Sequence, residues 1–335
     1  MNGVSTAPST TTTTTGPRVD AVMLGESLGL VMGDPAAPLR AGSPARFSFA
    51  GAESNVAIGL ARLGHSAAFV TRVGDDLVGR MITETLRGEG IDVSGVVVDD
   101  EAPTALMVRQ HRTADALSVL YYRDGAAGSR LQPADVPDLT GARLLHVTGI
   151  TPALSASARE TVTVAVRAAR DAGLVVSLDV NHRSLLWSTA EAGGALAPLL
   201  DAVDIVFGGG DELLALAQQH DADDAENVDL AVKHLLQQRP SVVVRKRGSE
   251  GATAYGEFGT LECPALSVTA VDPVGAGDAF VAGFLSGLLD DVDPAGCLAR
   301  AVECGAFAVS VHGDWEGAAR RSELGMLAKS EAVHR

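Results

Sequence analysis

From Arg143 onward, apolar strand-like runs alternate with helix-patterned stretches, and this alternation constrains the fold more than any other feature of the chain. Residues 144–147 read as a strand, 155–172 as a helix and 174–179 as the next strand. A second round gives a strand at 204–207, helices at 211–219 and 228–238, and a strand at 241–244. Parallel strands need long crossover connections, and helices covering both faces leave the strands apolar throughout. The pattern predicts an α/β, Rossmann-like fold with a mostly parallel sheet sandwiched by helices. Ligands in such folds sit beyond the carboxyl ends of the strands. The loops after Asp179, Phe207, Arg245 and Val271 fall together at that edge.

The last of these loops is Asp272-Pro273-Val274-Gly275-Ala276-Gly277-Asp278, preceded by a β-rich run and followed by an apolar helix over 279–289. Its glycines let the backbone turn tightly and approach a ligand closely. The helix start points free N–H groups and a positive dipole end back at the turn, which makes an anion site. Asp278 has two readings. An acid in a first helical turn ordinarily compensates the dipole. In a phosphate cradle it would repel the ligand, unless its task is to take a proton from the attacking group.

The first half of the chain fits the alternation less well. Residues 19–24 and 66–73 read as strands, and 53–63 and 77–89 as helices. The β-rich runs at 30–32, 45–50, 104–111 and 117–123 lie outside the repeating unit, and the last two read as a hairpin. A small sheet built from about 28–50 and 104–123, apart from the core, accounts for them. Residues 1–17 form a Ser/Thr-rich tail with almost nothing to bury and are expected to be disordered. Residues 330–335 are a short C-terminal tail.

Lys plus Arg number 26 and Asp plus Glu 42, a net charge of −16. Nucleic acid and anionic membrane want basic stripes and are excluded as partners. An anionic ligand must be captured by local arginines and amides. The three cysteines, Cys263, Cys297 and Cys304, are odd in number and lack Cys-x-x-Cys spacing, so reduced thiols in a cytoplasmic protein are expected. No apolar run is long enough to span a bilayer, and the N-terminus lacks the layout of a signal peptide. A P-loop and a Gly-x-Gly-x-x-Gly after a strand are both missing, and the eight histidines show no metal-ligand spacing. Gly25-Glu26-Ser27-Leu28-Gly29 matches a hydrolase nucleophile elbow in letters, but a strand and a turn follow it where that motif needs a helix.

The run from Asp272 to Phe280 resembles the C-terminal signature of the ribokinase-like (PfkB-type) carbohydrate kinases. A second signature lies far upstream: Gly51, Asn55, Ala57, the helix end at 60–64, Val73-Gly74-Asp75-Asp76 and Gly79. The resemblance runs from about Val19 to about Gly317 and implies a kinase domain over 18–329. It implies that the small sheet is a lid over the sugar and a contact in a homodimer or higher homo-oligomer. It makes Asp278 the catalytic base and the amides of Gly275, Ala276 and Gly277 the anion hole. ATP and Mg²⁺ are the implied cofactors, with room for a monovalent cation near Asp272. Lys246, Gly248 and Gly251 resemble the nucleotide-side loop, and Gly305, Ala308 and His312 lie where the family builds its adenine pocket. Glu212 is the residue implied to touch the metal through water, although Gly209 stands where the family commonly has Asn.

Tyr121-Tyr122-Arg123 and Asp179-Val180-Asn181-His182-Arg183 are similar to the sugar-acid contacts of the 2-keto-3-deoxygluconate kinases. Tyr121, Arg123 and Arg183 match those contacts, with Gly51, Ala52 and Asn55 facing the same pocket. Arginine pairs a carboxylate in bidentate fashion and stays charged when desolvated. Met107 stands where a lid tyrosine is often found. The implied acceptor is therefore 2-keto-3-deoxygluconate, a sugar acid phosphorylated on its terminal hydroxyl. Fructose and 5-dehydro-2-deoxygluconate are rival acceptors, and a sugar-binding regulator on a kinase fold is the non-enzyme alternative.

Overall fold

The computed structural model of the protein describes residues 19–34, 38–113, 116–218 and 225–327. The expected tails at 1–17 and 330–335 lie outside the described residues. Two sheets organise the rest. The larger has nine strands, and its parallel part consists of β1 (Ala21–Leu24), β4 (Ala67–Gly74), β5 (Val96–Asp99), β8 (Leu144–Thr148), β9 (Val175–Asp179), β10 (Ile205–Gly208) and β11 (Val242–Lys246). The antiparallel hairpin β12 (Ala252–Gly256) and β13 (Gly259–Cys263) extends one edge. The spatial order is β13-β12-β11-β10-β9-β8-β1-β4-β5. β1, β8 and β10 are buried at every position, as expected of strands covered on both faces.

Helices α1 (Ala52–Arg62), α2 (Leu77–Gly88), α4 (Ala156–Asp171), α6 (Gly210–Leu216), α7 (Ala225–Leu236), α8 (Ala276–Leu289) and α9 (Pro294–Val309) flank the sheet, with α3 (Thr151–Leu154) and α5 (Thr189–Leu196) as short additions. One core lies between the sheet and the helices that contribute Val162, Leu196 and Leu213. The other lies between the sheet and α1, α8 and α9, with Phe207 meeting Phe280 and Phe284 edge to face. Helix α8 is buried around most of its circumference, so its apolar sequence has no amphipathic stripe to read.

The smaller sheet has the order β3-β2-β6-β7, from β2 (Leu28–Gly33), β3 (Ala45–Ala50), β6 (Leu106–Thr113) and β7 (Ala116–Tyr122). This is the out-of-place β structure of the sequence, with β6 and β7 forming the expected hairpin. Its own core is small: Leu28, Leu30, Met32, Ala50, Ala105, Met107 and Ala126.

Three expectations need correction. Residues 264–270, the β-rich run before the glycine turn, form no regular element. A bulkier β-rich composition there lines a cavity wall instead of pairing in the sheet. Helix α8 begins at Ala276, three residues earlier than expected, because Gly275 in the left-handed region (φ 75°) starts it. β5 and α5 were not anticipated. All three cysteines are free; Cys297 and Cys304 are buried, and Cys263 is only half-buried. No helix among the described residues is long and apolar enough to cross a membrane.

Candidate active site

The glycine turn sits where two cavities meet. Gly275 caps α8, and a Cβ at this position would lie 1.8 Å from the Asp314 carbonyl oxygen. Only glycine tolerates both that approach and the positive φ. Ala276, Gly277 and Asp278 form the first helical turn and line the two cavities; the Ala276 N–H donates to the Pro273 carbonyl at a long 3.4 Å.

The first cavity, of about 220 Å³, lies between the small sheet and the carboxyl ends of the large one. All six residues expected to touch the acceptor line it: Gly51, Ala52, Asn55, Tyr121, Arg123 and Arg183. Gly275 and Asp278 form its floor, and Met107 occupies the place of the missing tyrosine. Asp278 is buried, with Oδ2 accepting from Asn55 Nδ2 at 2.8 Å and Oδ1 from Asn181 Nδ2 at 3.4 Å. Burial pushes its pKa up to about 6, while the Asn55 hydrogen bond and the Arg183 charge hold it down. Asn181 reaches it from the end of β9 through a left-handed backbone (φ 41°), a conformation asparagine tolerates better than most side chains.

The cavity also has walls that were not anticipated. Arg123 pairs with the buried carboxylate of Glu26 and lies 5.0 Å over the Tyr121 ring. Glu53 is fully buried and accepts from the hydroxyls of Thr148 (2.7 Å) and Thr151 (2.8 Å); burial raises its pKa to about 7. Arg109 and Asp314 close the far side. Glu26 Oε1, Asn55 Oδ1 and Arg123 Nε are buried here without a hydrogen-bond partner. Buried polar atoms are normally satisfied. Three orphans on one cavity, two acceptors and a donor, ask for a ligand carrying several hydroxyls and an acceptor group.

The second cavity, of about 600 Å³, lies on the other side of the turn. Lys246, Gly248, Gly251 and Gly305 line it as expected. Ala308 and His312 do not: Ala308 is buried against Gly317, and His312 lines a separate cavity beside Asp272. The apolar walls come from Leu266, Val268, Phe280, Val302 and Val309, which in sequence look like ordinary packing. Lys246 stands at the junction. Its Nζ donates to both oxygens of Asp179, at 2.7 and 2.8 Å, and is the nearest atom to a Cβ placed on Gly277. Burial works against the ammonium, but the carboxylates of Asp179, Glu212 and Asp278 together outweigh it and hold the pKa above the ordinary lysine value.

Glu212 lies below this junction, with its two oxygens accepting the backbone N–H groups of His182 and Gly209, each at 2.6 Å. Among the described residues, no cluster of three or more His, Cys, Asp or Glu could hold a metal. Ser27 contacts the Ala50 carbonyl and the Ser54 hydroxyl, not a histidine, which removes the nucleophile-elbow reading.

The sequence profile described as pfkB family carbohydrate kinase matches residues 25–319. This chain belongs to that family. Among its relatives, the 2-dehydro-3-deoxygluconokinase of Bacillus subtilis (strain 168) is 35% identical, over 95% of this chain and 98% of that protein. The 2-dehydro-3-deoxygluconokinase of Thermoproteus tenax is 36% identical, over 93% and 95%. Among solved structures, a putative ribokinase II of E. coli in complex with ATP and Mg²⁺ superposes with a TM-score of 0.84 at 25% identity, covering 93% of this chain and 99% of that one. The protein is thus a ribokinase-like carbohydrate kinase, and the regulator alternative falls away.

Proposed function

We propose that this kinase phosphorylates 2-keto-3-deoxygluconate on its terminal hydroxyl at the expense of ATP. The acceptor occupies the smaller cavity, the nucleotide the larger, and the four-stranded sheet is the lid. The observation that carries the acceptor is the set of orphaned atoms. Glu26 Oε1 and Asn55 Oδ1 need hydroxyl donors, and Arg123 Nε needs an acceptor. Arg183 stands exposed on the rim with no carboxylate paired to it among the described residues, and it supplies the charge that reads the acid. The relatives named for 2-dehydro-3-deoxygluconate support the same acceptor.

Asp278 takes the proton from the attacking hydroxyl. Its raised pKa suits a base that must pick up a proton near neutrality. The N–H groups of Gly275, Ala276 and Gly277 hold the transferring phosphoryl group, and Lys246 faces its charge. Mg²⁺ bound with the nucleotide would supply neutralisation of phosphate charge. The donor set fits an ion held mainly by phosphate, since the Glu212 oxygens already accept backbone N–H groups and reach it at most through water. A monovalent cation at Asp272 would have to compete with the Arg109 guanidinium. That carboxylate already accepts from Val274 N–H, Gly313 N–H and Arg109.

A second copy pairs through the lid in this reading. Phe47, Val31, Val108 and Leu120 form one cross-strand row, and Phe47 and Leu120 stand exposed. The free thiols suit a cytoplasmic enzyme. A screen of sugars and sugar acids with ATP tests the acceptor: kcat/KM should be highest for 2-keto-3-deoxygluconate, and a higher value for fructose would overturn it.

A further inference from the structure

Arg109 stands on lid strand β6, yet its guanidinium leaves the lid and is buried against the body of the enzyme. Nη1 donates to Asp314 Oδ1 at 3.0 Å and Nη2 to Asp272 Oδ2 at 2.8 Å. Both acids are buried, and they belong to the two segments that shape the anion hole. Asp272 opens the glycine turn, its Oδ1 accepting Val274 N–H at 3.1 Å and its Oδ2 accepting Gly313 N–H at 3.2 Å. Asp314 presses its carbonyl against Gly275. The transfer chemistry described above makes no use of this arginine.

Two buried carboxylates beside a phosphate site are an electrostatic liability. They repel each other and the incoming phosphoryl group, and desolvation adds to the cost. Positive charge has to be supplied there. A bound monovalent cation would be one source, but the Arg109 guanidinium already sits on Asp272 Oδ2. The remaining imbalance is visible at Asp314, which burial pushes up to about 7 although the Arg109 charge pulls it down.

Resting on the assignment of this cleft to phosphoryl transfer, we propose that Arg109 is the built-in counter-cation of the anion hole. Carried by the lid, it replaces a monovalent cation at Asp272 and sets the two anion-hole segments in place only when the lid is down. Arg109 is a positioning residue, since its contacts are to Asp272 and Asp314 and not to reacting atoms. The enzyme therefore works without potassium. An adjoining cavity of about 260 Å³, lined by Met32, Asp272 and His312 among others, gives a small cation access to the acids once the guanidinium is removed.

The test compares potassium chloride with choline chloride at equal ionic strength, on the full chain. It reads Mg·ADP affinity by calorimetry, the thermal midpoint, and kcat. Wild type should give the same values in both salts. Arg109→Ala should lose ~10²-fold in kcat through misplacement of the anion hole, with weaker Mg·ADP binding, and potassium should restore part of both relative to choline. Arg109→Lys, which keeps the charge, should remain indifferent to potassium. Wild-type affinity or midpoint that falls in choline overturns the proposal, as does an Arg109→Ala enzyme that binds and turns over normally in choline. Should Arg109→Ala not fold, wild type and Arg109→Lys decide between the same outcomes. Absence of phosphoryl transfer to any acceptor would instead sink the cleft assignment, because the salt dependence of Mg·ADP binding is read separately.

Discussion

Asn55 on α1 donates its side-chain amide to Asp278 on α8 at 2.8 Å, a shorter contact than the 3.4 Å one from Asn181 to the same carboxylate, which is the proposed base. Asp278→Asn keeps the shape and the helix start but removes the proton acceptor. General-base help is worth ~10²–10⁴-fold. A kcat loss of that order is expected, with Mg·ATP affinity unchanged. A near-wild-type kcat would remove Asp278 from the mechanism.

The same bond sets a pH dependence. The base works only when ionised, and its pKa is about 6. The kcat should therefore fall as pH drops below about 6, approaching a tenfold loss per unit. The Asn55 hydrogen bond lowers that pKa, so Asn55→Ala should move the acid limb to higher pH. A limb that stays in place, measured at saturating substrate, would mean that another group titrates.

The two cavity arginines should behave differently. The Arg183 side chain makes no hydrogen bond or ion pair among the described residues, so beyond its charge effect on Asp278 its loss should cost kcat/KM for the sugar acid far more than for fructose in Arg183→Ala. Arg123 is locked to Glu26. Truncating it leaves a buried carboxylate unpaired, a loss of ~3–5 kcal/mol in comparable pairs. Arg123→Ala should thus lower the thermal midpoint and hurt both acceptors. Equal losses for both acceptors in Arg183→Ala would end the carboxylate assignment.

Glu53 offers a stability test. Its ordinary value is 4.5 and burial raises it to about 7, so between those limits the folded state holds a proton that the unfolded chain has released. Its contribution is complete below the lower value and is lost as pH rises through the upper one. Glu53→Gln keeps an oxygen for Thr148 and Thr151 and has no charge to bury. The midpoint difference between Glu53→Gln and wild type should grow in favour of the variant from about pH 4.5 to about 7. It should be level above that. A constant difference across the range would refute the burial account. Comparing the two proteins cancels the opposite contribution of His65 and His146, which burial shifts down in both.

The exposed row on the lid predicts its own disruption. Leu120→Asp places a charge at the β7 end of the apolar row, and Leu120 is 52% exposed, so the fold of the single chain should survive. Sedimentation should show a smaller assembly than wild type. An unchanged sedimentation coefficient would place the contact elsewhere or show that there is none.

Much of this architecture was legible in the sequence because it is written locally. Apolar runs made β8, β9, β10 and β11 readable, and the glycine turn placed the start of α8 to within three residues. The six acceptor residues that line the smaller cavity were picked out by resemblance, Gly51 and Asn55 within the upstream family signature and Tyr121, Arg123 and Arg183 by likeness to the 2-keto-3-deoxygluconate kinases. Glu26, Glu53, Arg109 and Asp314 were not. Each is an ordinary charged residue whose role depends on what lies across from it. Arg109 meets an acid 205 residues away, and Glu26 meets Arg123 across 97. β5 escaped because Val96–Asp99 is short and follows a turn, and α5 because its two glycines, Gly193 and Gly194, weaken a helical pattern. His312 and Ala308 were misplaced because a helix end near a pocket does not reveal which side chains face it.

The carboxylate of Asp278 meets its two amide partners across 223 and 97 residues of chain. The contacts require α1, the chain after β9 and the start of α8 to come together, and such distant closures are slow compared with helix formation. During refolding, helical circular dichroism should therefore return well before turnover. A chain released short of α8 holds no partial centre at all. Turnover therefore reports the long-range docking of α1, β9 and α8, which helix formation alone cannot supply.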